Sequence, residues 1–330
     1  MKKIPIQFLN KATNFLSKGG ASYKRRNIKP PKIGLALSSG GARGLAHIGI
    51  MDVLEQHGIQ VHAVSGSSMG AYIGAHICTG KNAQQMLEIA SRVRDKNRLW
   101  ELADPVIPPI RGFFKGDKMA NFLRESIGDP DFEDLIHPLY AVTFDLDTQE
   151  KLVINTGNVA HAVHASCSIP GIVLPVDWNG HRCSDGGVVD PVPVSVLKEQ
   201  SDVDIIIAVT LLPTLEDIRA GRTSPEEPED RTLKSKMLRT FNRNTNLFAN
   251  GNTVDTLRRS VRAAQSQIAH LSCEAADIVM KPDAYNLPWH SFDAMDEIVE
   301  AGRVSAREVL PELQAAIDRF ITNQHLPTHH

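Results

Sequence analysis

The sequence predicts an α/β protein with a mostly parallel central sheet flanked by helices, and three observations predict it. First, two short apolar runs, Ile33-Gly34-Leu35-Ala36-Leu37 and about Val61 to Ser65, have the length and composition of buried strands. Second, the residues between them carry Ala42, Leu45, Ala46, Gly49, Ile50, Val53 and Leu54 at spacings of three and four, which marks one face of a helix. Gly58 follows where a helix-ending glycine is expected. Third, a stretch rich in small residues (Gly70, Ala71, Gly74, Ala75) continues the second strand as a helix to about Ile77. Strand, helix, strand and helix in that order generate a parallel sheet.

Further strands are expected near 139–143, 152–155, 204–210 and 277–280. Helices are expected within 82–96, 117–127, 159–166, 252–271 and 293–321. The stretch 213–236, with Thr223-Ser224-Pro225-Glu226-Glu227-Pro228-Glu229-Asp230, is too polar for a core and reads as a mobile surface loop. The organisation expected is a leader at 1–31, one domain at 32–322 and a tail at 323–330.

The leader is a separate object from the body. Residues 1–32 hold nine Lys/Arg and no acid, while the whole 330-residue chain has a formal net charge of −2, leaving about −11 on the rest. An acidic body argues against nucleic acid as a partner. Ile6, Phe8, Leu9, Ala12, Phe15 and Leu16 give the leader an amphipathic helical pattern. Basic residues beside an apolar face suit peripheral contact with anionic lipid on the inner face of a membrane. A solvated tail and an arm that contacts another subunit are the competing readings, so oligomerisation stays open. The four cysteines, Cys78, Cys167, Cys183 and Cys273, lie far apart, with no Cys-x-x-Cys pair. That pattern suggests neither zinc nor a disulfide framework and is simplest in a reducing cytoplasm. No run of 18 apolar residues occurs, and the N-terminus lacks the continuous apolar core of a secretory signal.

Three motifs carry chemistry. Gly66-Ser67-Ser68-Met69-Gly70 places a serine between a strand and a helix, where small neighbours permit a sharp turn that projects the side chain. Gly40-Gly41-Ala42-Arg43-Gly44 is a glycine-rich turn opening a helix, and free N–H groups at such a turn attract an anion. A nucleotide phosphate is one candidate anion, but neither Gly-x-x-x-x-Gly-Lys-Ser/Thr nor Gly-x-Gly-x-x-Gly is present. The oxyanion of an acyl-transfer intermediate is the other. In Ser184-Asp185-Gly186-Gly187, two glycines let another group come close to the Asp185 carboxylate, though an ordinary Asp-Gly turn gives the same pattern.

Taken in order, these motifs resemble the patatin-like phospholipase family, in particular its bacterial branch related to neuropathy target esterase. The resemblance covers most of residues 32–303. It runs through Gly34 to Gly44, Gly66-Ser67-Ser68-Met69-Gly70, Ala165-Ser166-Cys167-Ser168-Ile169-Pro170-Gly171 with Pro175-Val176, and Asp185-Gly186-Gly187 with Pro191-Val192-Pro193. It implies a three-layer fold and a Ser-Asp dyad, with Ser68 as nucleophile and Asp185 as base. Gly40, Gly41, Ala42 and Arg43 would form the oxyanion side. The family usually begins this loop with Asp-Gly-Gly-Gly or Gly-x-Gly, whereas Ser38-Ser39 precede the glycines here. The implied substrates are phospholipid or lysophospholipid esters, with no cofactor and no metal. A catalytically silent membrane-associated or regulatory adaptor on the same fold is the alternative.

Physical chemistry sharpens what to look for. An ordinary Asp has a pKa of about 3.9 and is a poor base for a hydroxyl, but burial raises it. A histidine would supply a triad instead. Of His270, His290 and His325, which follow Asp185, only His290, in a loop after Pro288-Trp289, suits that position. His47 reads as a helix residue near the site. Arg43 suits either an anionic head group or the pinning of its own loop. The apolar segment between Trp100 and Phe114 suits either a lid or a loop folded on the core.

Overall fold

The computed structural model describes residues 29–95, 101–107, 112–220 and 253–324. Most of the basic leader, residues 96–100 and 108–111 in and beside the apolar segment, residues 221–252 with their acidic run, and the end of the tail lie outside the described residues.

Among the described residues, eight strands form one mixed sheet: β1 (Ile33–Leu37), β2 (Val61–Ser67), β3 (Leu139–Asp145), β4 (Lys151–Ile154), β5 (Val176–Trp178), β6 (His181–Asp185), β7 (Ile205–Val209) and β8 (Ile278–Met280). Their order is β5-β6-β3-β2-β1-β7-β8, with β4 also paired to β3. Strands β3, β2, β1, β7 and β8 are parallel; β4 and β6 each pair antiparallel with β3, and β5 pairs antiparallel with β6.

Strand alternation explains why there are three layers. In β1 and β7, Ile33, Leu35, Leu37, Ile205, Ile207 and Val209 enter one core cluster, while Ala36, Ile206 and Ala208 enter the other. Successive side chains of a strand point to opposite faces, so both faces must be covered. On the first face lie α1 (Ala46–Gln56), α2 (Met69–Cys78), α3 (Ala83–Ser91) and the long C-terminal helix α9 (Met295–Asn323). On the second face, α6 (Val194–Gln200) supplies Val194, Val196 and Leu197, and α8 (Thr253–Cys273) supplies Ala269 and Cys273. Two further helices, α4 (Asp117–Ile127) and α5 (Val159–Ser166), pack together beside α2, and a short α7 (Leu215–Arg219) follows β7. Gly58, with φ +68, ends α1 as its sequence predicts, and its N–H bonds back to the Glu55 carbonyl at 3.0 Å.

Two elements escape the sequence pattern. The β5–β6 hairpin (Val-Asp-Trp and His-Arg-Cys-Ser-Asp) is short and polar, and it owes its structure to pairing with β3 rather than to an apolar run. The five residues of α7 fall inside the stretch read as loop. A capping box between Thr214 and Asp217 starts them as a helix.

The register around β3 positions the site. Strand β4 pairs with Ala141 to Phe144 on one edge of β3. On the other edge, β2 pairs with Leu139 to Val142 and β6 with Thr143 to Asp145. Ser67 therefore faces Val142 and Asp185 faces Thr143, so β2 and β6 meet end to end along that edge.

The packing of α1 on α9 is backbone to backbone. A Cβ added at Gly302 would overlap the Ala46 carbonyl oxygen, and one at Gly49 would overlap the Val299 carbonyl oxygen. Gly302→Ala is expected to separate these helices and cost about 2 kcal/mol of stability, as overpacking typically does. A fall in the urea midpoint checks this, and an unchanged midpoint would contradict the close contact.

Candidate active site

Ser68 stands between the end of β2 and the start of α2 with φ 55 and ψ −123, a conformation rarely adopted by a residue with a side chain. Such strain costs on the order of 1–3 kcal/mol and persists only where the surroundings hold it. Here they do so at several points. The Ser68 N–H donates to Ser166 Oγ at 2.9 Å, and that hydroxyl donates to the Val142 carbonyl at 2.6 Å. Ser67 Oγ donates to the Asp190 carbonyl at 2.6 Å. Glycines on both sides allow the fold-back. A Cβ at Gly66 would overlap the backbone of Gly70, and one at Gly70 would overlap the Leu37 carbonyl. The sharp turn thus projects the hydroxyl, as the motif predicts.

That hydroxyl donates to Asp185 Oδ2 at 2.6 Å, while Asp185 Oδ1 accepts the Gly187 N–H at 2.7 Å. Both side-chain positions are nearly closed to solvent, with Ser68 at 7% and Asp185 at 6% relative exposure. Burial is the main influence on the carboxyl and pushes its pKa up to about 6, against the pull of the bonds from Ser68 and Gly187. The carboxylate is held from behind as well. The Asp185 N–H donates to the Ser168 carbonyl at 2.9 Å, and Gln265 Nε2 donates to the Gly187 carbonyl at 2.7 Å. Further along the same turn, Lys151 Nζ bridges Asp190 Oδ2 at 2.9 Å and Ser195 Oγ at 3.0 Å. Sequence reasoning gave no role to Ser166 and Ser168, although both lie in the run Ala165–Gly171 that carries the resemblance. Nothing local in the sequence points to Lys151, Ser195 or Gln265.

The glycine turn packs against this pair. A Cβ at Gly44 would overlap the Met69 side chain, and one at Gly187 would come within 2.7 Å of Ser39 Oγ. Between Ser38 and Leu45 only Gly40 and Gly41 are partly open to solvent. Among the described residues, the Gly40 and Gly41 N–H groups make no hydrogen bond. The Ala42 N–H is engaged, donating to the Trp289 carbonyl at 2.6 Å. Gly41 adopts φ +59 under that same carbonyl, where any side chain would collide. Buried Arg43 donates from Nε to the Leu287 carbonyl at 2.8 Å and from Nη2 to the Tyr285 carbonyl at 3.3 Å. Of the two roles its sequence context suits, these bonds are those of a loop pin. Ser38 and Ser39, which replace the usual start of the loop, take structural bonds. Ser38 Oγ accepts the Leu211 N–H at 3.0 Å, and the Ser39 N–H donates to the Pro191 carbonyl at 3.0 Å.

Among the described residues no histidine is hydrogen-bonded to Ser68 or Asp185, and His325 lies outside them. His290 is exposed, and its ring contacts Trp289. Burial lowers the pKa of His47 to about 4, and its Nε2 pairs with the Ser38 carbonyl at 3.0 Å. The Cys167 thiol near the pair is pushed up, by desolvation first and then by the Asp185 carboxylate, so it stays protonated. Among the described residues no group of three or more His, Cys, Asp or Glu gathers to hold a metal ion. Among them, too, no helix is long and apolar enough to cross a membrane.

A three-layer α/β fold thus presents a strained serine to a buried carboxylate, beside open backbone donors. Residues 35–198 match the model of the patatin-like phospholipase family, and the chain carries a domain of that family. Among curated relatives, an uncharacterized NTE family protein of Mycobacterium tuberculosis is 33% identical over 191 residues, covering 58% of this chain and 52% of its own length. The lysophospholipase NTE1 of Cryptococcus neoformans is 30% identical over 188 residues, which are 55% of this chain and 11% of that protein. The chain thus spans about half the length of the mycobacterial relative. Among solved structures, VipD from Legionella pneumophila aligns with 91% of this chain and 73% of its own, at 13% identity and a TM-score of 0.46.

The raised pKa of Asp185 has a consequence for stability. A carboxyl that titrates near 6 when folded, against an ordinary 3.8, stabilises the fold fully below about pH 3.8. It loses that contribution as pH rises through about 6. Asp185→Asn does not titrate. Its melting temperature relative to wild type is therefore expected to climb between about pH 4 and 6 and then level off. Calorimetry across pH 4–8 checks this, and a flat difference would mean that Asp185 titrates at its ordinary value.

Proposed function

We propose that the protein is a metal-independent serine acyl hydrolase of phospholipid or lysophospholipid esters, working through a Ser68–Asp185 dyad. The observation that carries this reading is the 2.6 Å bond from Ser68 Oγ to a buried carboxylate whose pKa lies at about 6. Such a base is ionised at neutral pH, yet it is basic enough to take the hydroxyl proton as the C–O bond forms.

In this mechanism Ser68 Oγ attacks the ester carbonyl and its proton passes to Asp185 Oδ2. The carbonyl oxygen becomes an oxyanion, which accepts from the Gly40 and Gly41 N–H groups. These donors need no reorganisation, and each typically contributes ~2.7–4 kcal/mol to transition-state stabilisation. Ala42 and Arg43 contribute by fixing the loop, through the bonds to the Trp289, Leu287 and Tyr285 carbonyls. Collapse of the intermediate expels the alcohol, which takes the proton from Asp185 and leaves an acyl-Ser68 ester. Water then gives a proton to Asp185 and attacks the acyl carbon. A second collapse releases the fatty acid and returns the proton to Ser68.

The family match and the lysophospholipase name of one relative support lipid esters as the substrate class. The amphipathic basic leader supports a peripheral position on the inner face of a membrane, consistent with a cytoplasmic protein.

Hydrolysis of a short p-nitrophenyl ester and of lysophosphatidylcholine tests the reading. Ser68→Ala and Asp185→Asn are each expected to lower kcat on the order of 10³-fold or more. His290→Ala is expected to keep wild-type turnover. Because the base must be ionised, kcat/KM should rise with pH through a midpoint near 6 and then hold level. Full activity in Ser68→Ala would overturn the proposal. A wild-type protein that turns over neither ester and resists a fluorophosphonate label would favour the silent adaptor instead.

A further inference from the structure

A cavity of about 590 Å³ opens where α4, α5 and the start of β5 meet, and neither Ser68 nor Asp185 lines it. The volume is that of a small-molecule site, for which ~300–1,000 Å³ is usual. Two cations and two histidines line it. Lys115 precedes α4, Arg124 lies near the other end of that helix, and His161 faces them from α5. Among the described residues, neither Lys115 nor Arg124 makes an ion pair. The one carboxylate in the lining, Asp117, sits in the first turn of α4, and Asn121 adds an amide. Two N–H groups at the start of α4 are engaged, since Asp104 accepts from Gly116 at 2.9 Å and from Lys118 at 3.2 Å.

A second observation is independent of the surface charges. His164 also lines the cavity, is only 8% exposed, and its buried Nε2 has no hydrogen-bond partner. A buried polar atom left without a partner is unfavourable unless something bound satisfies it. Burial lowers the pKa of both His161 and His164, and the positive charge of Arg124 adds to this, while Asp177 acts the other way on His161, as do Asp117 and Asp104 on His164. Among the residues that line the cavity, two cations, Lys115 and Arg124, stand against one carboxylate, Asp117, so the lining carries an excess of positive charge. Nitrogen donors spread around one hollow match an anion with several oxygens better than a single carboxylate. The apolar wall at residues 174–176 leaves room for an organic substituent on that anion.

We propose that this cavity binds a phosphate group. Its position couples it to the serine. Ser166, two residues beyond His164 on α5, accepts the Ser68 N–H, and β5 pairs with the strand that ends in Asp185. The phosphate could belong to a lipid head group, an arm that rests on the acyl-hydrolase reading, or to a free phosphorylated effector, an arm that does not.

Titration of the full chain with inorganic phosphate, followed by calorimetry or phosphorus NMR, tests the site without any turnover. Wild type and Ser68→Ala are expected to bind phosphate alike. The double variant Lys115→Gln/Arg124→Gln, altered at two exposed residues, is expected to bind at least about tenfold more weakly. No binding by wild type, or equal binding by the double variant, would overturn the proposal. Turnover then separates the sources. For a head-group subsite, the double variant raises KM for lysophosphatidylcholine about tenfold and leaves p-nitrophenyl ester turnover unchanged. For an effector site, added phosphate alters p-nitrophenyl ester turnover in wild type but not in the double variant. Failure of the hydrolase reading would show as no turnover of either ester, with phosphate binding untouched.

Discussion

One edge of β3 carries two strands in succession, β2 running parallel and β6 running antiparallel, and the serine and the carboxylate stand at the junction between them. Because Ser67 pairs with Val142 and Asp185 with Thr143, the backbone ladder itself fixes the distance between Ser68 and Asp185. The surrounding contacts serve that junction. Val142 supports it twice, since its carbonyl accepts from Ser166 Oγ and lies where any side chain at Gly186 would collide. A site built on ladder hydrogen bonds is held more rigidly than one carried on a free loop.

The energetics of the junction run against stability and toward reactivity. Ser68 is held at positive φ, and Asp185 is buried with no cationic partner among the described residues, so its charged form is costly. The contrast with Asp190 on the same turn is instructive. Asp190 is also buried, but Lys151 lies 2.9 Å away and offsets part of the desolvation. Two buried aspartates five residues apart thus differ in kind: one is paired and structural, the other bonded only to a hydroxyl and an N–H. Strain and unfavourable burial persist at Ser68 and Asp185 because the cores on both faces of the sheet supply the stability they lack.

The same distinction separates Arg43 from the cations of the α4–α5 cavity. Arg43 is buried and spends its guanidinium on the carbonyls of residues 285 and 287, which gives the glycine turn a fixed shape. Lys115 and Arg124 are exposed around a hollow and have no such internal duty among the described residues. Position in the fold, not residue type, sets what each positive charge can do.

Local pattern was enough for much of this protein. Apolar runs and helical periodicity identify β1, α1, β2 and α2, because those elements bury side chains at spacings that the backbone dictates. The sequence also contains the sharp turn at Ser68 and the glycine-rich turn at 40–44, since only small residues satisfy their geometry. Several features were decided by tertiary structure alone: the β5–β6 hairpin, the burial of the Asp185 carboxylate against Ser68 Oγ, the engagement of the Ala42 N–H by Trp289, and the contacts of Ser166, Lys151 and Gln265. Each depends on groups far apart in the chain meeting across a sheet or between layers. No local spacing encodes such a meeting. A serine's readiness to turn is written in its neighbours, but the burial that raises the pKa of Asp185 exists only once the chain has folded around it.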